Sequence, residues 1–84
     1  MRYSPEFFAR QLRVKRAERD WKQEDLAEAA DVSLNTIARY ETGTNVPSFA
    51  NVVAIAQAFG CSTDDFWIGN TFLDTFLRES APPI

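Results

Sequence analysis

Apolar residues recur every three to four positions through most of this chain, which is the period of an amphipathic α-helix. The first such segment starts at Ser4, a good helix cap, and extends to about Arg19 with Phe8 and Leu12 on its inward face. No run of residues alternates convincingly between apolar and polar side chains, as a half-buried strand would. The pattern therefore predicts an all-α fold.

Two short helices joined by a tight turn are predicted within residues 22–42. Ser33 is a good cap for the second of them, and Val32 is expected to fill the angle between the two. Small residues on the first helix allow the second to approach closely. The inward positions at helical spacing are Leu26, Ala27, Ala30, Ile37 and Tyr40.

The outward row of the second helix is the clearest indication of function. Its members point away from the Ile37 and Tyr40 face and would meet a DNA major groove, as in a helix-turn-helix. This row consists of Leu34, Asn35, Thr36 and Arg39. A regulator of transcription that binds double-stranded DNA is therefore the leading prediction.

Two further helices are predicted after a loop that follows this motif. Residues 42–47 contain the glycine and proline of a loop, and Ser48 is predicted to cap a fourth helix that ends at Gly60. Its inward positions are Val52, Val53, Ile55, Ala56 and Phe59. A fifth helix is predicted from Ser62 or Thr63 to near Gly69.

A cluster of large apolar residues follows and predicts an extra helix over residues 70–79. It divides the chain into a helix-turn-helix domain at 1–69, this helix, and a frayed tail at 80–84. The cluster is a candidate homodimer interface, because exposed aromatic patches mark contacts between molecules; folding back onto its own monomer is the alternative. Its members are Trp67, Ile68, Phe72, Leu73, Phe76 and Leu77.

Composition weighs against catalysis. The 84 residues suffice for one modest core, contain no histidine and contain a single cysteine, Cys61, which excludes an internal disulfide and a cysteine metal cluster. We therefore expect no enzyme, no metal site and no cofactor. No apolar run reaches the roughly 20 residues of a membrane span and no signal-peptide core is present, so a cytoplasmic protein without membrane contact is expected.

The net charge of −3 is unevenly distributed along the chain. Residues 1–40 carry eight Lys or Arg against seven acids, whereas residues 41–84 carry one against five. Six of the basic residues lie in the first helix and the turn after it, where they are candidates to flank a phosphate backbone. They are Arg10, Arg13, Lys15, Arg16, Arg19 and Lys22.

The combined spacing resembles the lambda-repressor-like family, also called Cro or XRE-type helix-turn-helix proteins, over about residues 7–69. The matching positions are Gln23, Leu26-Ala27, Ser33, Thr36-Ile37, Tyr40-Glu41-x-Gly43, Pro47-Ser48, Val52, Ile55-Ala56, Phe59-Gly60-Cys61-Ser62 and Phe66. The resemblance implies a compact five-helix bundle, here with the extra C-terminal helix. It also implies a sequence-specific repressor of phage or plasmid type that binds a palindromic operator as a homodimer.

Roles for individual residues follow from the resemblance. Leu34, Asn35 and Arg39 match base-reading positions, and Thr36 matches a base or phosphate position. Asparagine suits adenine, arginine suits guanine, and leucine suits only a thymine methyl. The resemblance further implies that a buried pair joins Arg16 to Glu41 and leaves part of the guanidinium free for phosphate. The remaining phosphate-contacting positions it implies are Gln23, Ser33, Thr44, Asn45 and Ser48.

Other functions stay open at this point. The same module serves as an antitoxin or as the controller of a restriction-modification operon, and the acidic C-terminal half would suit a protein partner such as a toxin or an antirepressor. A protein-interaction adaptor that has lost DNA binding is a further alternative. Salt-dependent binding to operator DNA would separate the DNA-binding proteins from the adaptor.

Overall fold

The fold is all-helical. A computed structural model describes residues 2–68, which form α1 (Pro5–Glu18), α2 (Gln23–Ala30), α3 (Leu34–Glu41) and α4 (Phe49–Phe59), followed by one 3-10 turn at Thr63–Phe66. An isolated antiparallel bridge between Arg2 and Ile68 is the sole β-type pairing within that range. None of the helices in residues 2–68 has the length and apolar character needed to cross a membrane.

Three helices begin at a serine whose hydroxyl accepts a backbone N–H of the first turn. Ser4 accepts from Phe7, Ser33 accepts from Thr36 at 3.1 Å, and Ser48 accepts from Asn51 at 3.1 Å. Each bond satisfies one of the N–H groups that a helix leaves without a partner at its start. The helix starts predicted at these serines are confirmed.

All four helices end in the same reverse turn. A residue with positive φ follows the last turn, and the next N–H bonds to the carbonyl five residues back, as in a Schellman motif. The residues with positive φ are Asp20, Asp31, Gly43 and Gly60. Because each helix stops abruptly, the following one can start in a new direction within a few residues.

The core lies where all four helices and the 3-10 turn meet. Phe8 is its centre, with ring centroids 5.5 Å from Tyr40 and 5.7 Å from Phe66, both edge-on. The fully buried side chains are Phe8, Leu12, Leu26, Ile37, Val52, Ile55 and Phe66. Of the predicted inward positions of α4, Val53 is only half-buried.

The predicted fifth α-helix is a single 3-10 turn in the structure. After Phe66 the backbone becomes extended at Trp67, and the Ile68 N–H bonds to the Arg2 carbonyl at 2.9 Å. Pairing with the N-terminal segment takes the backbone group that helix continuation would need. The predicted helix over 70–79 and the tail at 80–84 lie outside the described residues.

Candidate nucleic-acid interface

One side of α3 is buried and the other faces solvent. Ile37 and Tyr40 are buried in the core, whereas Leu34 is 48% exposed and the side chains of Asn35 and Arg39 are exposed. The structure therefore brings three of the four predicted base-reading residues onto one open surface of a short helix. That surface offers an amide, a guanidinium and an apolar group, which suit adenine, guanine and the thymine methyl respectively.

Thr36, the fourth predicted base reader, is held against the cap of its own helix. It is half-buried, and its hydroxyl lies 2.7 Å from the Ser33 hydroxyl. Since the Ser33 oxygen also accepts the Thr36 N–H, the two side chains fix each other at the start of α3. Ser33 itself remains exposed.

A buried carboxylate ties the end of α3 to α1 and α2. Glu41 is only 7% exposed, and its two oxygens accept from Arg16, with Nε at 2.6 Å and Nη2 at 2.7 Å. The Gln23 side-chain amide donates a third bond to the same carboxylate, at 3.2 Å. A bidentate arginine–carboxylate pair is strong and geometrically specific. The orientation of α3 relative to both preceding helices is therefore held by this group.

Most of the hydrogen-bonding capacity of the Arg16 guanidinium is used within the protein. Its third nitrogen, Nη1, donates to the Trp21 carbonyl at 2.9 Å, so every guanidinium nitrogen has an acceptor. The hydrogen bonds that Arg16 donates to Glu41 raise the pKa of Arg16 above its ordinary value, against the opposing effect of burial. Because a guanidinium has five N–H groups, only the remaining two would be available to a phosphate.

Predicted phosphate-contacting and base-reading residues share one open cleft of about 420 Å³. Its lining residues are Arg16 of α1, Trp21, Lys22, Gln23 and Glu24 before and at the start of α2, and Leu34 at the start of α3. The ion-paired Arg16, the exposed cation Lys22, the acidic Glu24 and the start of α2 thus border the same space as the first residue of α3. The start of α2 and Lys22 favour an anion in this cleft, whereas the charge of Glu24 opposes it.

The loop between α3 and α4 is also fixed relative to α3. The Thr44 N–H bonds to the Arg39 carbonyl at 2.9 Å, and the hydroxyls of Thr42 and Thr44 lie 2.8 Å apart. The Asn51 amide then donates to the Tyr40 hydroxyl at 2.8 Å, which joins the start of α4 to α3. The predicted phosphate positions Thr44, Asn45 and Ser48 therefore belong to a segment anchored on α3; Asn45 is half-buried and the other two are exposed.

Most of the basic residues in α1 and at its C-cap, Arg19, have structural roles. Lys15 pairs with Asp65 at 3.1 Å, on the side of α1 that packs on the 3-10 turn. Arg19 donates to the Phe59 carbonyl and lies over the Phe59 ring, 4.9 Å from its centroid. Arg13 donates to the backbone carbonyl of Glu41 at 2.8 Å. The idea that this whole set flanks a phosphate backbone is therefore too broad.

Several contacts around the site were not predicted. They include the bonds from Gln23 to Glu41, from Arg13 to the Glu41 carbonyl and from Asn51 to Tyr40. Asn51 lies in the first turn of α4, three residues after Ser48, and this spacing predicts its backbone bond to the Ser48 cap but not its side-chain bond to Tyr40. Two apolar side chains near the α3–α4 loop, Val46 and Phe49, are 75% and 67% exposed.

The apolar residues proposed for a dimer interface are only partly within the described residues. Trp67 packs on the core and meets Tyr3 edge-on, with centroids 6.4 Å apart, and Ile68 pairs with Arg2. Both are half-buried in the monomer. The other four members, Phe72, Leu73, Phe76 and Leu77, lie outside the described residues.

Cys61 packs against the core as a small apolar side chain. It is partly buried, and burial raises the pKa of its thiol, with Lys15 acting in the opposite direction. A raised pKa leaves little thiolate at neutral pH, and the thiolate is the reactive form.

Comparison with known proteins agrees with this architecture. The profile of the family described as Helix-turn-helix matches residues 12–66, which include the second half of α1 and all of α2, α3 and α4. The chain belongs to the lambda-repressor-like helix-turn-helix family. The resemblance noted in the sequence is thereby confirmed.

Two individual proteins are similar to this chain. The cryptic phage CTXphi transcriptional repressor RstR of Vibrio cholerae is 38% identical over 53 residues, covering 63% of this chain and 48% of the repressor. The matched region thus spans about half the length of that relative. The crystal structure of a transcriptional regulator from Listeria innocua matches with a TM-score of 0.65 and 23% identity, over 95% of this chain and 78% of the other, and supports the fold.

Proposed function

We propose that this protein is a sequence-specific transcriptional repressor that binds double-stranded DNA with α3 in the major groove. The observation that carries the proposal is the open row of Leu34, Asn35 and Arg39 on a helix whose opposite side is anchored in the core. Membership of the family and the similarity to a phage repressor support the same function.

The proposed contacts are of two kinds: contacts to phosphate, which position the protein on DNA, and contacts to base edges, which read the sequence. Gln23, Lys22 and the two uncommitted N–H groups of Arg16 would meet one phosphate strand in the shared cleft. Thr44, Asn45 and Ser48 would meet phosphates at the other end of α3. Asn35 and Arg39 would then reach base edges, with a preference for adenine and guanine respectively.

The decisive experiment is fluorescence anisotropy on DNA upstream of the protein's own gene and on sites selected from a random pool. Asn35→Ala and Arg39→Ala are each expected to weaken specific binding by roughly 1–3 kcal/mol and to relax preference at one base position. Gln57→Ala is the matched control for Asn35→Ala, because it also removes an exposed side-chain amide. Gln57 lies in the last turn of α4, outside the proposed reading row on α3. This control should leave affinity unchanged.

Absence of wild-type binding at low salt, to either source of DNA, would contradict the proposal. Equal weakening by Gln57→Ala and Asn35→Ala would contradict the assignment of α3 as the reading helix. In both cases the search would turn to a protein partner.

We further propose that the protein binds a palindromic operator as a homodimer. Two-fold symmetry would place two copies of α3 about one DNA turn apart, roughly 34 Å. The support is the apolar spacing of Phe72, Leu73, Phe76 and Leu77 in the sequence. Sedimentation should give a dimer for the wild type and a monomer for Phe72→Ser/Phe76→Ser with unchanged helix content. A monomeric wild type, free and on DNA, would contradict the proposal.

A further inference from the structure

An acidic residue occupies an unexpected place beside the proposed DNA surface. Glu41 lies at the end of α3, and its carboxylate bonds to Arg16 and Gln23, both of which line the cleft proposed for phosphate. A simple charge argument makes such an acid unfavourable for DNA binding. Its bidentate pairing with Arg16 removes most of that objection, because the two charges neutralise each other at 2.6 and 2.7 Å.

The bond from Gln23 to Glu41 decides which way the Gln23 amide faces. A carboxylate can only accept hydrogen bonds, so the NH₂ end of the amide must point at it. One N–H is then used at 3.2 Å, and the second N–H is left on the same nitrogen, at the cleft that Gln23 lines. A phosphate oxygen is also an acceptor only, so this second N–H is the group that a phosphate needs.

We infer that Glu41 is a positioning residue for DNA binding, acting through Gln23. It holds the Gln23 amide in the one orientation that offers a donor to phosphate before DNA arrives. This inference rests on the proposed function, and it adds that an acid of the recognition helix strengthens the binding of an anion. Without the carboxylate, the amide rotates freely, and the cost of fixing this side chain on DNA offsets most of the hydrogen bond that it would then donate.

The test measures how much Gln23 contributes to DNA binding with and without the carboxylate. Removing Glu41 alone would leave a buried guanidinium unpaired, which risks unfolding. The background variant is therefore Arg16→Met/Glu41→Met, in which both charges become apolar side chains of similar volume. Within this background, the proteins with and without Gln23→Ala both lack Arg16. Any direct effect of Arg16 on DNA binding therefore cancels when the two are compared.

We expect Gln23→Ala to weaken DNA binding about tenfold in the natural chain, the size of a hydrogen bond to a charged group. In the Met/Met background the same substitution should change affinity by less than about twofold. An equal loss in both backgrounds, or no loss in the natural chain, would overturn the inference. Failure of the natural chain to bind any DNA would instead contradict the proposed DNA-binding function.

A second measurement needs no variant that disturbs the fold. The side-chain nitrogen of Gln23 in the free protein should show an NMR order parameter close to that of rigid backbone, about 0.85. The exposed Gln57 is the internal control and should lie below about 0.6. A Gln23 value as low as that of Gln57 would overturn the inference even if the Met/Met background failed to fold.

Discussion

At the residue scale, the four positions with positive φ differ in how well their side chains suit the backbone. Gly43 and Gly60 have φ of 75° and 71°, and Asp20 and Asp31 have φ of 57° and 56°. Glycine enters this region without cost, whereas a residue with a Cβ enters it at a cost of about 1–2 kcal/mol, somewhat less for aspartate. The two aspartates also place a negative charge at the negative end of a helix.

Asp31→Gly is therefore expected to stabilise the protein by about 0.5–1 kcal/mol, after subtracting the greater freedom of glycine in the unfolded chain. Gly43→Ala is the converse change and should destabilise it by about 1–2 kcal/mol. The cost there arises from φ alone, since an added Cβ would meet the nearest atom, Pro5 Cβ, at an ordinary 3.6 Å. Urea unfolding followed by circular dichroism measures both. A destabilised Asp31→Gly protein would show that the aspartate has a role beyond ending α2.

Local hydrogen bonds could be predicted from the residues themselves, whereas the long-range Arg16–Glu41 pair was expected from the family resemblance and other long-range bonds were not predicted. Ser33 and Ser48 cap the helices that they were predicted to cap, because a hydroxyl three residues before its target needs only local geometry. The bond from Gln23 to Glu41 spans 18 residues. It depends on the angle between α2 and α3, which no local pattern specifies.

At the element scale, α3 is short for a helix that is proposed to enter the major groove of DNA. It has eight residues, and isolated helices of that length are not stable in water. Its stability comes from the Ser33 cap at one end, Ile37 and Tyr40 in the core, and the Arg16–Glu41 pair at the other end. The reading surface can therefore be largely polar without loss of the helix.

The Ser33 cap separates helix stability from DNA contact. Ser33→Ala is expected to destabilise the protein by about 1 kcal/mol, and Ser48→Ala at α4 by a similar amount, because each removes the bond that the cap makes. Ser33→Asp retains an acceptor and should keep stability within about 0.5 kcal/mol of the natural chain. If Ser33 lies at a phosphate, the introduced carboxylate would repel that phosphate and weaken DNA binding at least about fivefold.

Thermal unfolding and anisotropy on the same three variants provide the measurement. Full DNA affinity in Ser33→Asp would show that this end of α3 lies away from the phosphates. Loss of stability in Ser33→Asp equal to that in Ser33→Ala would show that the cap bond contributes little.

The 3-10 turn shows where helical periodicity misleads. Ser62 does act as a cap, accepting the Asp64 N–H at 3.1 Å, and Phe66 is buried as an inward residue should be. The helix nevertheless stops after four residues, because Ile68 bonds to Arg2 from the opposite end of the chain. Periodicity identifies the buried side, but a pairing between residues distant in sequence determines the end of the element.

At the scale of the whole molecule, an acidic protein is proposed to bind a polyanion. The net charge is −3, and four of the six basic residues of α1 and the following turn are bonded within the protein. Lys22 at the cleft and Arg39 on α3 are the exposed cations at the proposed interface, with part of Arg16 beside them. Binding should therefore depend less on counterion release than in a strongly basic relative, and more on fitted contacts.

The salt dependence of binding measures this directly. With Lys22 and Arg39 as the exposed cations at the interface and the charge of Arg16 offset by Glu41, the slope of log K against log salt should be about −1 to −2 per copy. Lys22→Ala should make it shallower by about 1, since it removes one phosphate contact. Lys15→Ala is the matched control, because it also removes one positive charge, but from a lysine that pairs with Asp65. It should leave the slope unchanged. An equal change in both variants would mean that DNA responds to the total charge of the molecule, and the cleft between α2 and α3 would lose its assignment as the phosphate site.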